Sequence, residues 1–443
     1  MARFLFTVWP FVGHVHPSIG IARALQARGH AVAFYTGAAV RSTLEFEGFR
    51  YFPFVKVDEK RVTTLVSTEF SYSASIWQQI RRARRLQAAF REWLLDTIPE
   101  QVEDIDGIVP AWRPDVIVCD SAFWSPILVL RETRHLPVAV LSVTAACVLP
   151  GPDAPAWGRG LPRPRNGLMR ARSAFQRKLV HWLSAGFRAH VDALRSRYGL
   201  PDVPCSVTEY AAQMPLYIVP STPEYDYKRH DLPPSVRYVG PCLWDKPTHT
   251  PPPDWLTALP ESRSIIYVTE ATIGRGEPFL LKAAARAFAD LPFQVVMTAG
   301  KQRDPAELRL GPLAPNIRVE SYVPQSDLLP KMALMVTPGG SGGVLAALKA
   351  GVPMVVVPTE WDRPENAQRV VECGAGLRIA ANRCTPERLR AAALRVLSEL
   401  SFREGALRMA DIFGRNDGPA RAAQLLENLG SKIESELHLA ARN

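Results

Sequence analysis

A histidine and a carboxylate at the ends of neighbouring strands can act as a general base and the group that orients it. This chain has such a pair. Gly13-His14-Val15-His16-Pro17 follows the apolar run Arg3–Val8 directly, and Asp120 ends the apolar run Val116–Cys119. In an open parallel sheet, ligands bind beyond the carboxyl ends of the strands, where both side chains would meet. The carboxylate would hold the imidazole tautomer and stabilise the imidazolium after proton capture. The same positions also suit two helix caps, with His14 opening the helix after it and Asp120 the helix near Trp124. Spacing alone does not separate the two readings. His16 competes with His14 but, two residues on, is expected to point elsewhere.

Three segments of the second half suit an anionic, hydroxylated ligand. Thr337-Pro338-Gly339-Gly340-Ser341-Gly342-Gly343 follows a strand and opens a helix. Glycines there let a phosphate approach the backbone, and the helix start offers free N–H donors. The Gly-Lys-Ser/Thr ending of a Walker loop is absent. Thr269-Glu270-Ala271-Thr272 brings a hydroxyl to the same edge, unless it is simply a cap. Pro358-Thr359-Glu360-Trp361-Asp362-Arg363 supplies acceptors and a donor for sugar-like hydroxyls, unless it is an ordinary surface loop.

Alternating strands and helices position these groups. In the first part, strands are expected at Arg3–Val8, Ala31–Tyr35, Val116–Cys119 and Val138–Val143, with helices at Ser18–Arg28, Ser75–Leu95 and Trp124–Arg134. After residue 250 the pattern restarts, with strands at Ile265–Thr269, Gln294–Thr298, Ile317–Glu320, Leu334–Thr337 and Met354–Val357. Helices are expected at Pro278–Ala289, Val344–Ala350, Pro386–Leu400 and Pro419–Leu437. Such alternation implies βαβ units and parallel sheets covered on both faces, giving an α/β fold of two doubly wound halves. The division expected is residues 1–220, a proline-rich linker 221–250, a second half 251–415 and a final helical segment 416–443. Val57–Tyr72 and Pro150–Gly167 read as irregular insertions of the kind that form lids or binding loops.

Taken in order, Gly13-His14-Val15-His16-Pro17, Asp120 with Phe123-Trp124, Tyr322-Val323-Pro324-Gln325, the glycine-rich turn 339–343 and Asp362-Arg363-Pro364-Glu365-Asn366-Ala367 resemble the family 1 nucleotide-sugar glycosyltransferases of the macrolide and natural-product group. The resemblance spans nearly the whole chain. It implies a GT-B fold, two Rossmann-like domains facing across a cleft, with the acceptor on the first and the nucleotide sugar on the second. It makes His14 the base and Asp120 its partner. Tyr322 would stack on the nucleobase, with Val323 and Gln325 beside it. Thr272 and the amides of Gly339, Gly340, Ser341, Gly342 and Gly343 would hold the diphosphate. Asp362, with Glu360, Trp361 and Arg363, would hold the sugar. It further implies inversion at the anomeric carbon, no metal and no cofactor beyond a UDP or TDP sugar as co-substrate. Departures from the family pattern are Ala271, Pro338, Gly343, Ala346 and Arg363, which thin the side-chain contacts to the nucleotide. A nucleotide-sugar epimerase of the same shape, or a noncatalytic partner that activates another transferase, remain alternatives.

Phe11, Tyr72, Phe123 and Trp124 are the aromatic candidates for a flat or lipophilic acceptor, whereas Trp77, Ile80, Phe90 and Trp93 read as core. Of 443 residues 47% are hydrophobic and 22% charged, an ordinary globular balance. The six cysteines are scattered without a C-x-x-C pair, as expected for thiols in a reducing cytoplasm. The formal charge is +10, and residues 154–191 hold eight basic residues and no acidic one. There Phe175, Leu179, Trp182, Leu183 and Phe187 recur at helical spacing. The segment is either an amphipathic helix packed on its own domain or a weak peripheral anchor on anionic membrane. No nucleic-acid-binding module is recognisable. Monomer and dimer stay equally open.

Overall fold

The computed structural model describes residues 1–66, 87–245, 254–257, 265–270, 278–300 and 304–440. The first sheet contains β1 (Arg3–Thr7), β2 (Ala31–Thr36), β3 (Arg50–Pro53), β4 (Val116–Asp120), β5 (Val138–Leu141), β6 (Leu216–Val219) and β7 (Val236–Tyr238). These are ordered β3-β2-β1-β4-β5-β6-β7. The second contains β8 (Ile265–Thr269), β9 (Gln294–Thr298), β10 (Ile317–Glu320), β11 (Leu334–Thr337), β12 (Met354–Val356) and β13 (Gly376–Arg378), ordered β10-β9-β8-β11-β12-β13. Every pairing is parallel. Each sheet therefore reverses its strand order once, between β1 and β4 and between β8 and β11. Those reversals open the crevices in which doubly wound sheets bind ligands.

The strands are apolar on both sides because helices cover both faces. Along β1, Phe4 and Phe6 enter one core and Leu5 the other. Along β8, Ile265 and Tyr267 divide in the same way from Ile266 and Val268.

The helices used below are α1 (Val12–Ala27), α2 (Gly167–Leu183), α3 (Ser341–Lys349), α4 (Arg363–Glu372) and α5 (Gly418–Ala440). α1 begins six residues before its expected start at Ser18, with Pro17 inside it. Pro17 costs one helical hydrogen bond, since it has no N–H for the Gly13 carbonyl, but the burial of Val15, Ile19, Ala22 and Leu25 carries the helix through. α3 likewise starts at Ser341, three residues early. The strands β3, β6, β7 and β13 and the helix Leu400–Gly414 were not expected; the strands are only three or four residues long, too short for a period to show. β7 lies inside the expected linker 221–250, so that segment contributes the last strand of the first sheet. Glu59–Val66 is helical within the insertion read as irregular, and residues 87–95 of the expected helix Ser75–Leu95 are helical. The rest of that helix lies outside the described residues.

The described residues of the two halves meet at several places, three of which set their register. Ala422, Ala423 and Leu426 of α5 enter the first-sheet core beside α1. Glu427 of the same helix accepts from Arg28 Nε at 2.8 Å and meets His30 Nε2 at 2.7 Å. The hydrogen bonds from Arg28 and His30 hold the Glu427 carboxyl down at about 2.

The third contact is buried. Arg369 on α4 reaches Asp226, which lies between β6 and β7, at 2.7 Å. Its guanidinium stacks over the Tyr227 ring, 4.3 Å from the centroid. Arg369 also bonds Glu365 Oε2 at 3.0 Å. The other oxygen of Glu365 accepts three successive amides of the first half, Gly158 at 2.9 Å, Arg159 at 3.1 Å and Gly160 at 2.8 Å. Residue 160 must be glycine: its φ is +56°, and a Cβ would sit 2.2 Å from the Pro364 carbonyl. The loop 158–160 is thus clasped to the second half.

Removing one member of a buried ion cluster leaves the others charged without compensation. Glu365→Ala is therefore expected to lower the unfolding free energy by roughly 3 kcal/mol, read as a lower urea midpoint; an unchanged midpoint would contradict the clasp. Glu427, whose carboxyl is depressed, contributes stability above the ordinary carboxylate range and loses it as the pH falls towards about 2. The melting-temperature gap between wild type and Glu427→Gln should be present near neutrality and narrow as the buffer is acidified below about pH 4.

Candidate active site

His14 lies in the first turn of α1, just beyond β1, and Asp120 is the last residue of β4. Because β1 and β4 pair directly at the reversal, the two side chains meet. His14 Nδ1 is 3.0 Å from Asp120 Oδ2. The carboxylate is fully buried and takes two further hydrogen bonds, Trp9 N–H on Oδ2 at 2.9 Å and Ala122 N–H on Oδ1 at 2.7 Å. An ionised, acceptor-only carboxylate suits three donors, so the His14 ring carries its proton on Nδ1. Nε2 is then left with a lone pair. This imidazole lines a cavity of about 1810 Å³ between the two halves. That exceeds the few hundred to about 1,000 Å³ of a site for one small ligand.

Across the cavity stands the start of α3. The backbone turns at Gly339, where φ is +93° and a Cβ would lie 2.7 Å from Val356. Gly340 caps the helix, and the first-turn N–H groups of Ser341, Gly342 and Gly343 have no acceptor within it. Gly340, Ser341, Gly342 and Gly343 line the cavity. The Ser341 hydroxyl is already engaged: it donates to Asp362 Oδ2 at 2.6 Å and accepts from Ala145 N–H of the first half at 2.9 Å. Ser341 therefore offers a ligand its amide.

Asn366 organises this corner, a role its sequence gave no means to see. Its buried amide donates to Gly339 O at 2.9 Å, Ser341 Oγ at 3.1 Å and Asp362 Oδ2 at 2.9 Å, and its oxygen accepts from Tyr225 OH at 3.0 Å. Asp362 is thereby fixed by one oxygen at the N-terminus of α4. Glu360 and Arg363 line the cavity beside it, with Arg363 bonded to Thr359 Oγ1. Tyr322, Val323 and Gln325 line the same side, and burial pushes the Tyr322 hydroxyl up to about 12. Thr272 and Tyr72 lie outside the described residues.

The aromatic wall differs from expectation in two places. Phe123 is fully buried in the core, packed on Trp9 at 4.9 Å and away from the cavity, because its position directly after the β4 turn points it back under the sheet. Phe90 and Trp93, expected as core, do pack there, Trp93 within the first-sheet core and Phe90 against it, but both also line the cavity. Trp361 belongs to the second half, yet its ring meets Phe90 at 5.4 Å and Trp93 at 6.1 Å across the cleft. Its φ of +64° is the left-handed backbone that carries the ring there. Phe11 is edge-on to His14 at 5.4 Å, and Trp124 lines the cavity edge-on to Phe187 at 5.9 Å.

Cys147 also lines the cavity, but burial pushes its thiol up to about 12. At pH 8 only about one in ten thousand would be thiolate, so it is no nucleophile. Among the described residues no group of three or more His, Cys, Asp or Glu is placed to hold a metal ion. Iodoacetamide at about pH 8 is expected to leave activity intact; inactivation in step with alkylation of Cys147 would contradict this.

Residues 284–429 match the family model described as erythromycin biosynthesis protein CIII-like, C-terminal domain. The 4'-demethylrebeccamycin synthase of Lentzea aerocolonigenes is 34% identical over 431 residues, covering 97% of this chain and 99% of that protein. The demethyllactenocin mycarosyltransferase of Streptomyces fradiae is 27% identical over 439 residues, covering 97% and 87%. The crystal structure of the glycotransferase of kitacinnamycin superposes with a TM-score of 0.72 at 25% identity, covering 96% of this chain and 98% of that one. The sheets, the cleft and these likenesses agree: the chain belongs to the natural-product glycosyltransferases of GT-B fold.

Proposed function

We propose that this glycosyltransferase moves a sugar, with inversion, from a nucleoside-diphosphate sugar of uridine or thymidine type to a small lipophilic or aromatic acceptor. The observation that carries the reading is the His14–Asp120 pair at 3.0 Å, facing the glycine-rich start of α3 across one cavity. The acceptor hydroxyl gives its proton to His14 Nε2 as its oxygen bonds to the anomeric carbon. The bond from that carbon to the diphosphate oxygen breaks, and the diphosphate leaves with the electron pair. Asp120 stabilises the imidazolium that forms. The free amides of Ser341, Gly342 and Gly343, with the partial positive charge of the helix start, stabilise charge on the leaving group. Asp362 receives sugar hydroxyls on its remaining oxygen, and Tyr322 stacks on the base with Gln325 beside it.

Closure of the halves excludes water, which would otherwise compete as acceptor. Support for an aromatic or lipophilic acceptor comes from Phe11, Phe90, Trp93 and Trp124 of the first half and Trp361 of the second, which together give the cavity an apolar wall.

His14→Ala is expected to lower kcat by roughly 10²–10⁴-fold, with donor KM little changed. Turnover near wild type, or a product that keeps the donor's anomeric configuration, would overturn the proposal.

A further inference from the structure

The basic segment read from the sequence becomes α2, and this helix is amphipathic the wrong way round for a packed surface helix. Its inward side is polar: Ser173 is buried, and Arg177 donates from Nη1 to the Gly151 carbonyl at 2.8 Å. Its outward side is apolar. Leu168 is 81% exposed, Phe175 68%, Leu179 44% and Trp182 71%. With Arg172 these residues follow one another at intervals of three and four, so they form one continuous stripe along the helix. A monomeric soluble surface rarely leaves so many large apolar side chains together in water.

Charge identifies what covers the stripe. Residues 154–191 contain no acid, and among the described residues Arg172 and Lys178 form no ion pair. A second copy of this chain would set Arg172 and the basic residues around the stripe against themselves, because a two-fold interface brings the same patch from both subunits together. An anionic bilayer offers the opposite charge and an apolar interior at once.

We propose that α2 docks in the plane of an anionic membrane surface, with Leu168, Phe175, Leu179 and Trp182 in the acyl boundary and Arg172 among the headgroups. Among the described residues no helix is long and apolar enough to cross a membrane, so the attachment is peripheral. Lys178 and His181 of the same helix line the interlobe cavity. Docking therefore brings the cavity wall to the bilayer, and, on the acceptor assignment made above, a lipophilic acceptor enters from it. The docking itself stands apart from the sugar-transfer reading and is tested without turnover.

The full chain is sedimented with vesicles of phosphatidylcholine alone and of phosphatidylcholine with phosphatidylglycerol. Pelleting is expected only with the anionic vesicles and should weaken with salt. Arg172→Glu should reduce the partition coefficient roughly 25-fold, about fivefold for the attraction lost and as much for the repulsion gained. Phe175→Glu/Trp182→Glu should abolish pelleting while keeping the wild-type circular dichroism and melting temperature. As a check that does not depend on those variants folding, brominated lipid in the anionic vesicles should quench wild-type tryptophan fluorescence. Trp182→Phe should still pellet but lose that quenching. Wild type remaining in the supernatant, pelleting unaltered by the double substitution, or quenching unaltered in Trp182→Phe would each overturn the proposal. So would a wild-type dimer that the double substitution dissociates without any vesicle binding.

Discussion

Asp120 is a buried negative charge, and the first half of the site is arranged around it. Its carboxylate takes the amides of Trp9 and Ala122 and the Nδ1 of His14. The two amides hold the carboxylate in place whether or not the imidazole is present. The imidazole is then held in one tautomer by a partner that does not move. This depends on β1 and β4 being neighbours although 112 residues separate Arg3 from Asp115, whose side chain accepts from the Arg3 amide at 2.7 Å. The strand reversal is thus what brings the proposed base and its partner together.

The second sheet repeats the logic with opposite polarity. Its reversal point presents peptide N–H groups at the start of α3 instead of a charged side chain. Asn366 locks the glycine turn, Ser341 and Asp362 into one hydrogen-bonded unit. Where the family pattern has side chains on the nucleotide, this chain has Pro338, Gly343 and Ala346, so in the proposed function backbone amides carry more of the anion binding. Such donors are already oriented by the helix and need no reorganisation when charge develops. Both half-sites work only if the halves meet in register. The Asp226–Arg369–Glu365 cluster fixes that register from within, and Trp361 closes the aromatic wall from the opposite side.

Much of this was legible in the chain itself. Val, Ile and Leu runs alternating with helical stretches gave both sheets' central strands, and the motif residues fell at strand ends because the fold places ligands there. The short edge strands β3, β7 and β13 escaped because three or four residues carry no period, and proline content disguised β7 as linker. Phe123 lies in the core instead of on the cavity wall, and Trp93 reaches that wall from within the core, for a related reason. An aromatic near a motif and an aromatic on a helix look alike until the packing shows which face is turned to the cavity. Glu365 and Asn366 were visible as motif members, but their partners, Gly158, Gly160 and Tyr225, lie more than 100 residues away in the chain. The outward apolar stripe of α2 was equally hidden, because periodicity reveals a stripe but not the side on which it lies.

Whether His14 and Asp120 act as one unit is decided by a double-mutant cycle on sugar transfer under single-turnover conditions. If the carboxylate works only through the imidazole, His14→Ala combined with Asp120→Asn should be about as slow as His14→Ala alone. Losses that multiply, so that the double variant falls well below either single one, would mean that the two side chains act separately and would contradict the base assigned to this site.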